Sequence, residues 1–303
     1  MIADNTSAEA TALQEAIDKA TQIANNMAST AEELAAATAE LKEASFIFQL
    51  ANGTGASPVV VTNDYVARGS TMALGRSTVS GISTSNLLEQ GFCWSTSPNP
   101  TVLDNRTTKY QNQNGRIYIM ENLEPSTIYF VRAYALTKTY AVGYGEAIKV
   151  ITLPAGKVTW SYDNGADDAA NARINAAVEN AVYYMNTWTS INGLHTSVHY
   201  GSGTPTADCS YGGWMRVGLN ASYQQTGTIL HELGHAIGVG THDMWYGSSS
   251  PLRSGSGTGN WIGDRATAAV RFLENSTTSL MNGDGTHMWP YGINGSNEDT
   301  DDV

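Results

Sequence analysis

His231-Glu232-Leu233-Gly234-His235-Ala236-Ile237-Gly238-Val239-Gly240-Thr241-His242 is the segment that sets the chemistry of this 303-residue chain. Two histidines four positions apart stand one above the other on a single helix face, so both imidazoles can reach one metal ion. Glu232, beside the first, can reach a water held at that ion. Nothing between Gly227 and His231 breaks a helix, and the motif is expected on a helix over about 223–237. Leu230, Leu233, Ala236 and Ile237 then face a core while the histidines face a cleft. Gly234 costs about 1 kcal/mol relative to alanine within a helix, and room for a neighbouring backbone or for substrate would account for it.

The residues upstream supply a scaffold. A strand is expected at 157–162 and a turn with a helix start at 164–168. A helix of about 18 residues follows, with an apolar stripe of Ile174, Val178, Ala181, Val182 and Met185. Strands are expected at 194–200 and 214–219, with a Gly, Ser and Thr loop at 201–213 between them. All six histidines and six of the seven tryptophans lie beyond residue 154, so the chemistry is local to this segment.

Strand, long helix, strands and motif helix in this order resemble the N-terminal half of a metzincin zinc peptidase, with an α+β domain over 157–303. The resemblance implies Zn²⁺ as cofactor, His231 and His235 as ligands and Glu232 as general base and then acid. It also implies that the edge strand before the motif helix, here 214–219, pairs with extended substrate. Gly238 falls where the family places the glycine that ends the motif helix in a left-handed turn; the family's last histidine stands three residues after it, and Thr241 occupies that position. Two arrangements supply the third ligand. In one, the turn at 238–240 absorbs an extra residue and His242 binds, with Met281 of Ser279-Leu280-Met281 resembling the family's Met-turn. In the other, which we prefer, the ligand arrives after an insertion, as in the leishmanolysin-like branch. Gly285-Thr286-His287-Met288-Trp289 then provides His287, after a glycine-rich turn at 255–259 and a helix at 264–274. The run from Thr241 through Trp245 to 260–266 and 283–292 also resembles secreted bacterial metallopeptidases. Tyr291 or Tyr246 would hydrogen-bond the oxyanion.

Toward the N-terminus the pattern changes twice. Residues 57–153 carry strand-like runs at 59–62, 71–74, 91–94, 117–120, 128–135 and 149–152, separated by turn residues. Leu123-Glu124-Pro125-Ser126-Thr127-Ile128-Tyr129 resembles the tyrosine corner of fibronectin type III domains, and 91–95, 131–135 and 144–146 agree with that family. An all-β sandwich is implied, with Cys93 as an inert core thiol. Residues 1–52 read as a helical hairpin, a spacer or stalk that weakly resembles the alanine-rich helical repeats of surface proteins. Capping boxes are expected at Thr6 with Glu9 and at Thr30 with Glu33. Apolar stripes run along Leu13, Ile17, Ala20, Ala24 and Met27, and along Leu34, Leu41 and Phe48 with Ala37 and Ala44 beside them. The fold class is therefore multidomain.

A net charge of −12 argues against nucleic acid and anionic lipid as partners. No run of about 18 apolar residues is present to enter a membrane. The first residues, MIADNTSAEA, are not a signal peptide. Cys93 and Cys209 fall in different expected domains, which argues against a disulfide, and His195 and His199 read as ordinary strand histidines. A thiol at Cys209 that masks a zinc ion is the lesser reading of that residue. The composition is compatible with an extracellular or cell-surface location. The expected function is zinc-dependent hydrolysis of protein or peptide substrates, glycoproteins included. The alternative is a surface binding or adhesion protein with a structural or vestigial zinc site.

Overall fold

The structure, a computed structural model, describes residues 7–111, 117–246, 252–255 and 258–289. Its helices and sheets divide between two compact units. One comprises Met1–Thr62, Ser77–Thr108 and Phe130–Ile148; the other comprises Asn63–Arg76, Lys109–Tyr129 and Lys149–Val303.

Helices α1 (Ala8–Asn25) and α2 (Ala31–Ala51) form the expected hairpin. Thr30 and Glu33 close the capping box, the hydroxyl accepting from the Glu33 N–H and the carboxylate from the Thr30 N–H. At α1 the cap is Ser7, whose hydroxyl accepts from the Ala10 N–H; Thr6 lies outside the described residues. The apolar stripes are partly buried: Leu13, Ala20, Leu41, Ala44 and Phe48 are half-buried, whereas Ile17 and Leu34 are exposed. Only Ala16 of α1 and Ala37 of α2 are buried, and Met27 sits fully exposed in the turn. Alanine lets two helix backbones approach closely, and the larger side chains are left at the margins. Farther along α2, Phe46 and Leu50 pack on Cys93, Val102 and Tyr134.

The β region contains β1 (Val59–Thr62), β2 (Ala67–Arg68), β3 (Ala73–Ser80), β4 (Leu87–Ser95), β5 (Asn105–Thr107), β6 (Tyr110–Gln111), β7 (Ile117–Met120), β8 (Ile128–Thr137), β9 (Val142–Tyr144) and β10 (Ile148–Ile151). They form antiparallel sheets in the orders β1-β3-β7-β6, with β2 on β3, and β10-β8-β4-β5, with β9 on β8. β1 and β7 run over the residues expected of them, β3 begins two residues later than the expected 71–74 and continues to Ser80, and β4 extends the expected 91–94 mainly toward its N-terminus. Tyr129 makes the expected corner, its hydroxyl accepting from the Glu124 N–H at 3.1 Å. Cys93 is free and fully buried, and burial pushes its thiol up to about 12, so it is inert.

In the second unit β11 (Lys157–Tyr162) leads into α3 (Asp168–Trp188) and back to β12 (Asn192–Tyr200), which lies parallel to it. Asp167 caps α3 by accepting from the Ala170 N–H. β13 (Ala207–Cys209) and β14 (Trp214–Val217) complete a sheet of order β11-β12-β14-β13, with β14 parallel to β12 and β13 antiparallel to β14. Helix α4 (Thr226–Ala236) follows a short 3₁₀ turn at Ala221–Tyr223. Val158, Ile174, Val178, Val198, Met215, Ile229 and Leu233 fuse α3, α4 and one sheet face into a core. Each such side chain contributes about 1.5–3 kcal/mol on burial.

Two expectations are corrected here. The strand at 214–219 is interior, and the edge strand is β13, which arises inside the supposed loop 201–213. Ile237 is 44% exposed, because the helix has ended by then; Ile229, Leu233 and Ala236 are the residues of α4 in the core. Beyond α4 come α5 (Asp243–Tyr246), a hairpin of β15 (Arg253–Gly255) and β16 (Thr258–Trp261), α6 (Asp264–Leu273), and a two-stranded turn of β17 (Asn282–Gly283) and β18 (Met288–Trp289).

Candidate metal centre

One turn of α4 separates His231 from His235, and their ring centroids lie 4.9 Å apart. His287, on the turn between β17 and β18, brings its ring to 5.4 Å from His231 and 5.7 Å from His235. One ring nitrogen of each histidine lies within 4.8 Å of the others, and this is the one such group of three or more potential ligands among the described residues. The structure therefore brings together His231, His235 and the preferred third ligand. His242 is elsewhere: its ring packs on Tyr211 at 4.9 Å, and its Nδ1 accepts from the Met244 N–H.

Two features of the chain after α4 fix this geometry. Gly238 (φ 114°) and Gly240 (φ 67°) turn the backbone through conformations that other residues adopt at a cost. Gly240 also meets the backbone of Thr286, so closely that a Cβ built there would lie 2.1 Å from the Thr286 carbonyl oxygen. A side chain at 240 would strike the residue before His287. Gly234, by contrast, has no close neighbour among the described residues; its Cβ would meet only Val239, at 4.0 Å, so no neighbouring backbone accounts for it. His235 Nδ1 donates to the Val239 carbonyl at 2.7 Å, which leaves Nε2 as its free lone pair. Thr241, in the position where a histidine was sought, donates its hydroxyl to the His235 carbonyl.

Thr206, Ala207, Asp208, Cys209, Thr241 and Thr286 join the three histidines and Glu232 around a cavity of about 290 Å³. Glu232 is 2% exposed, and its Oε2 has no hydrogen-bond partner among the described residues. Burial raises its carboxyl to about 8, and the charge of Asp208 adds to the rise. Burial likewise pushes the Cys209 thiol up to about 12, with Glu232 and Asp208 contributing, so Cys209 is a neutral wall of the cavity. An unpartnered buried carboxylate oxygen is costly, and it is accounted for if the cavity takes a cation and water. Three imidazoles with a carboxylate beside them form a donor set suited to zinc with one position left open.

The remaining candidates sit apart from this cluster. His195 is exposed on the outer sheet face between Thr159 and Ser161, and His199 pairs there with Asp163 at 3.1 Å. Met281 accepts the Trp261 N–H through its carbonyl and does not line the cavity. Tyr291 lies outside the described residues, and of Tyr246 only the backbone, in α5, is described. Sequence reasoning missed Asp284, whose Oδ1 lies 3.4 Å from His287 Nδ1. The Asp-Gly pair at 284–285 signals a turn and is the one clue to it.

No protein-family model matches the chain, and no curated protein matches it. Among solved structures it is similar to a fibronectin type III domain of human fibronectin type III domain containing protein 3. That match has 16% identity and a TM-score of 0.26 and covers 38% of this chain and 96% of that one. The sixth fibronectin type III domain of a human protein of the same name matches at 19% identity and a TM-score of 0.24, over 35% and 95%. A polysaccharide deacetylase from Bacillus cereus matches at 7% identity and a TM-score of 0.23, over 48% and 52%. These TM-scores are low; the strand order and the Tyr129 tie carry the fibronectin type III-like character of the β region.

Proposed function

We propose that this chain is a zinc-dependent hydrolase of the metzincin type that cleaves peptide bonds. The observation that carries the reading is the convergence of His231, His235 and His287 on one cavity that also holds the buried, unpartnered Oε2 of Glu232. The three histidines would hold the ion. A zinc ion bound there would supply Lewis acidity, lowering the pKa of a neighbouring water toward ~7 and polarising a scissile carbonyl. Glu232 takes the proton of the attacking water and later passes it to the leaving amine. The hydrogen bond from His235 Nδ1 to Val239 leaves Nε2 for the ion; with Cys209 neutral and the Asp208 carboxylate held by the Arg216 guanidinium, Glu232 is the cavity carboxyl left for proton transfer.

Protein or peptide chains are the substrates, glycoproteins included, and the setting is extracellular or the cell surface. No helix among the described residues is long and apolar enough to cross a membrane. Metal removal tests the reading. Dialysis against a zinc chelator abolishes cleavage of an unfolded protein substrate, and one equivalent of zinc restores it. Cleavage that persists in the chelated protein contradicts the proposal; zinc binding without any cleavage favours a structural zinc site in a surface binding protein.

A further inference from the structure

We infer that Asp284 is a positioning residue for His287, fixing both where that histidine stands and which ring nitrogen it offers to a metal ion. The inference rests on the metal-centre reading above. Asp284 Oδ1 accepts the backbone N–H groups of Thr286 and His287, each at 2.7 Å, and so closes the turn from which His287 projects. The same oxygen lies 3.4 Å from His287 Nδ1. An imidazole whose Nδ1–H faces a carboxylate offers Nε2 as its lone pair, as His235 does through the Val239 carbonyl. The side chain of His287 is 45% exposed, so packing alone does not hold its ring.

The turn is anchored from its other side by Arg253. This residue is 4% exposed and donates to the carbonyls of Asp284 at 2.8 Å, Gly259 at 3.0 Å and Gly283. Its guanidinium lies 4.5 Å from the centroid of the Trp245 ring. Because Arg253 grips main-chain carbonyls, the Asp284 carboxylate remains available to the turn and to the imidazole.

Separating the turn from the ring contact tests the assignment. In Asp284→Asn the side-chain oxygen still accepts the two N–H groups, but the charge facing Nδ1 is gone. In Asp284→Ser a hydroxyl can still cap the turn but falls short of the ring. Zinc affinity of the full chain, measured by competition with a chromophoric chelator, falls about 10- to 100-fold in both variants. The melting temperature of the metal-free protein stays at the wild-type value in Asp284→Asn, a combination that a role in the turn alone would not produce. Asp284→Ala loses affinity and melting temperature together. Wild-type affinity in both Asp284→Asn and Asp284→Ser, beside a zinc-deficient His287→Ala, overturns the positioning role and leaves the metal centre standing. If the wild-type chain takes up no zinc, or His287→Ala matches it, the metal centre fails and the positioning role falls with it.

Discussion

Glu232→Gln retains one zinc ion per chain and lowers kcat for peptide cleavage by about 10²- to 10⁴-fold, the usual contribution of a positioned general base. The substitution keeps the shape of the side chain and removes its ability to take a proton. Folding is not the reason for the loss. Glu232 is buried with an unpartnered Oε2, and burial already raises its carboxyl to about 8, so a neutral amide of equal size suits the position at least as well. Zinc content by elemental analysis and kcat on one peptide substrate, with the melting temperature as control, decide the matter. Wild-type turnover in this variant removes Glu232 from the mechanism.

The second large effect separates the two histidines that the sequence offered as third ligand. His287→Ala weakens zinc binding by more than the 10- to 100-fold typical of losing an outer hydrogen-bond partner, and activity falls with it. His242→Ala binds zinc as wild type does, because that ring is engaged with Tyr211 and the Met244 N–H and lies outside the histidine cluster. The reverse pattern would place the site on the turn after α4 and break the geometry described here. Equal affinity in wild type and both variants would show that neither histidine is a ligand.

What could be read from the sequence follows from how far each signal reaches along the chain. His231, Glu232 and His235 lie within one helical turn, and α4 places them as a period of 3.6 requires. The Tyr129 corner and the strands around it are local patterns too, and they lie where the residues put them. The edge strand β13 was missed because Ala207, Asp208 and Cys209 are too few to show alternation, and they sit among Gly, Thr and Pro. The seam between α1 and α2 was legible in part: Ala37 lies beside the expected stripe of α2 and is buried, whereas on α1 periodicity marks the larger apolar side chains and Ala16 is the residue buried.

His287 was the hardest residue to place. Its return to α4 depends on the approach of Gly240 to Thr286, on buried Arg253 gripping the turn, and on Asp284 facing the ring. None of these is periodic, and each joins residues distant in the chain or hidden in a turn. Resemblance offered the residue as a candidate, and folding brings it beside the other two histidines.

Zinc K-edge X-ray absorption on the full chain loaded with one equivalent of zinc tests the centre most directly. Three imidazole nitrogens at about 2.0–2.1 Å, with one further light-atom ligand in the open position, are expected. The imidazole scattering drops by one ring in His287→Ala and is unchanged in His242→Ala. A thiolate sulfur at about 2.3 Å, which only Cys93 or Cys209 could supply, or a spectrum that His287→Ala leaves unaltered, would contradict a zinc site built by His231, His235 and His287.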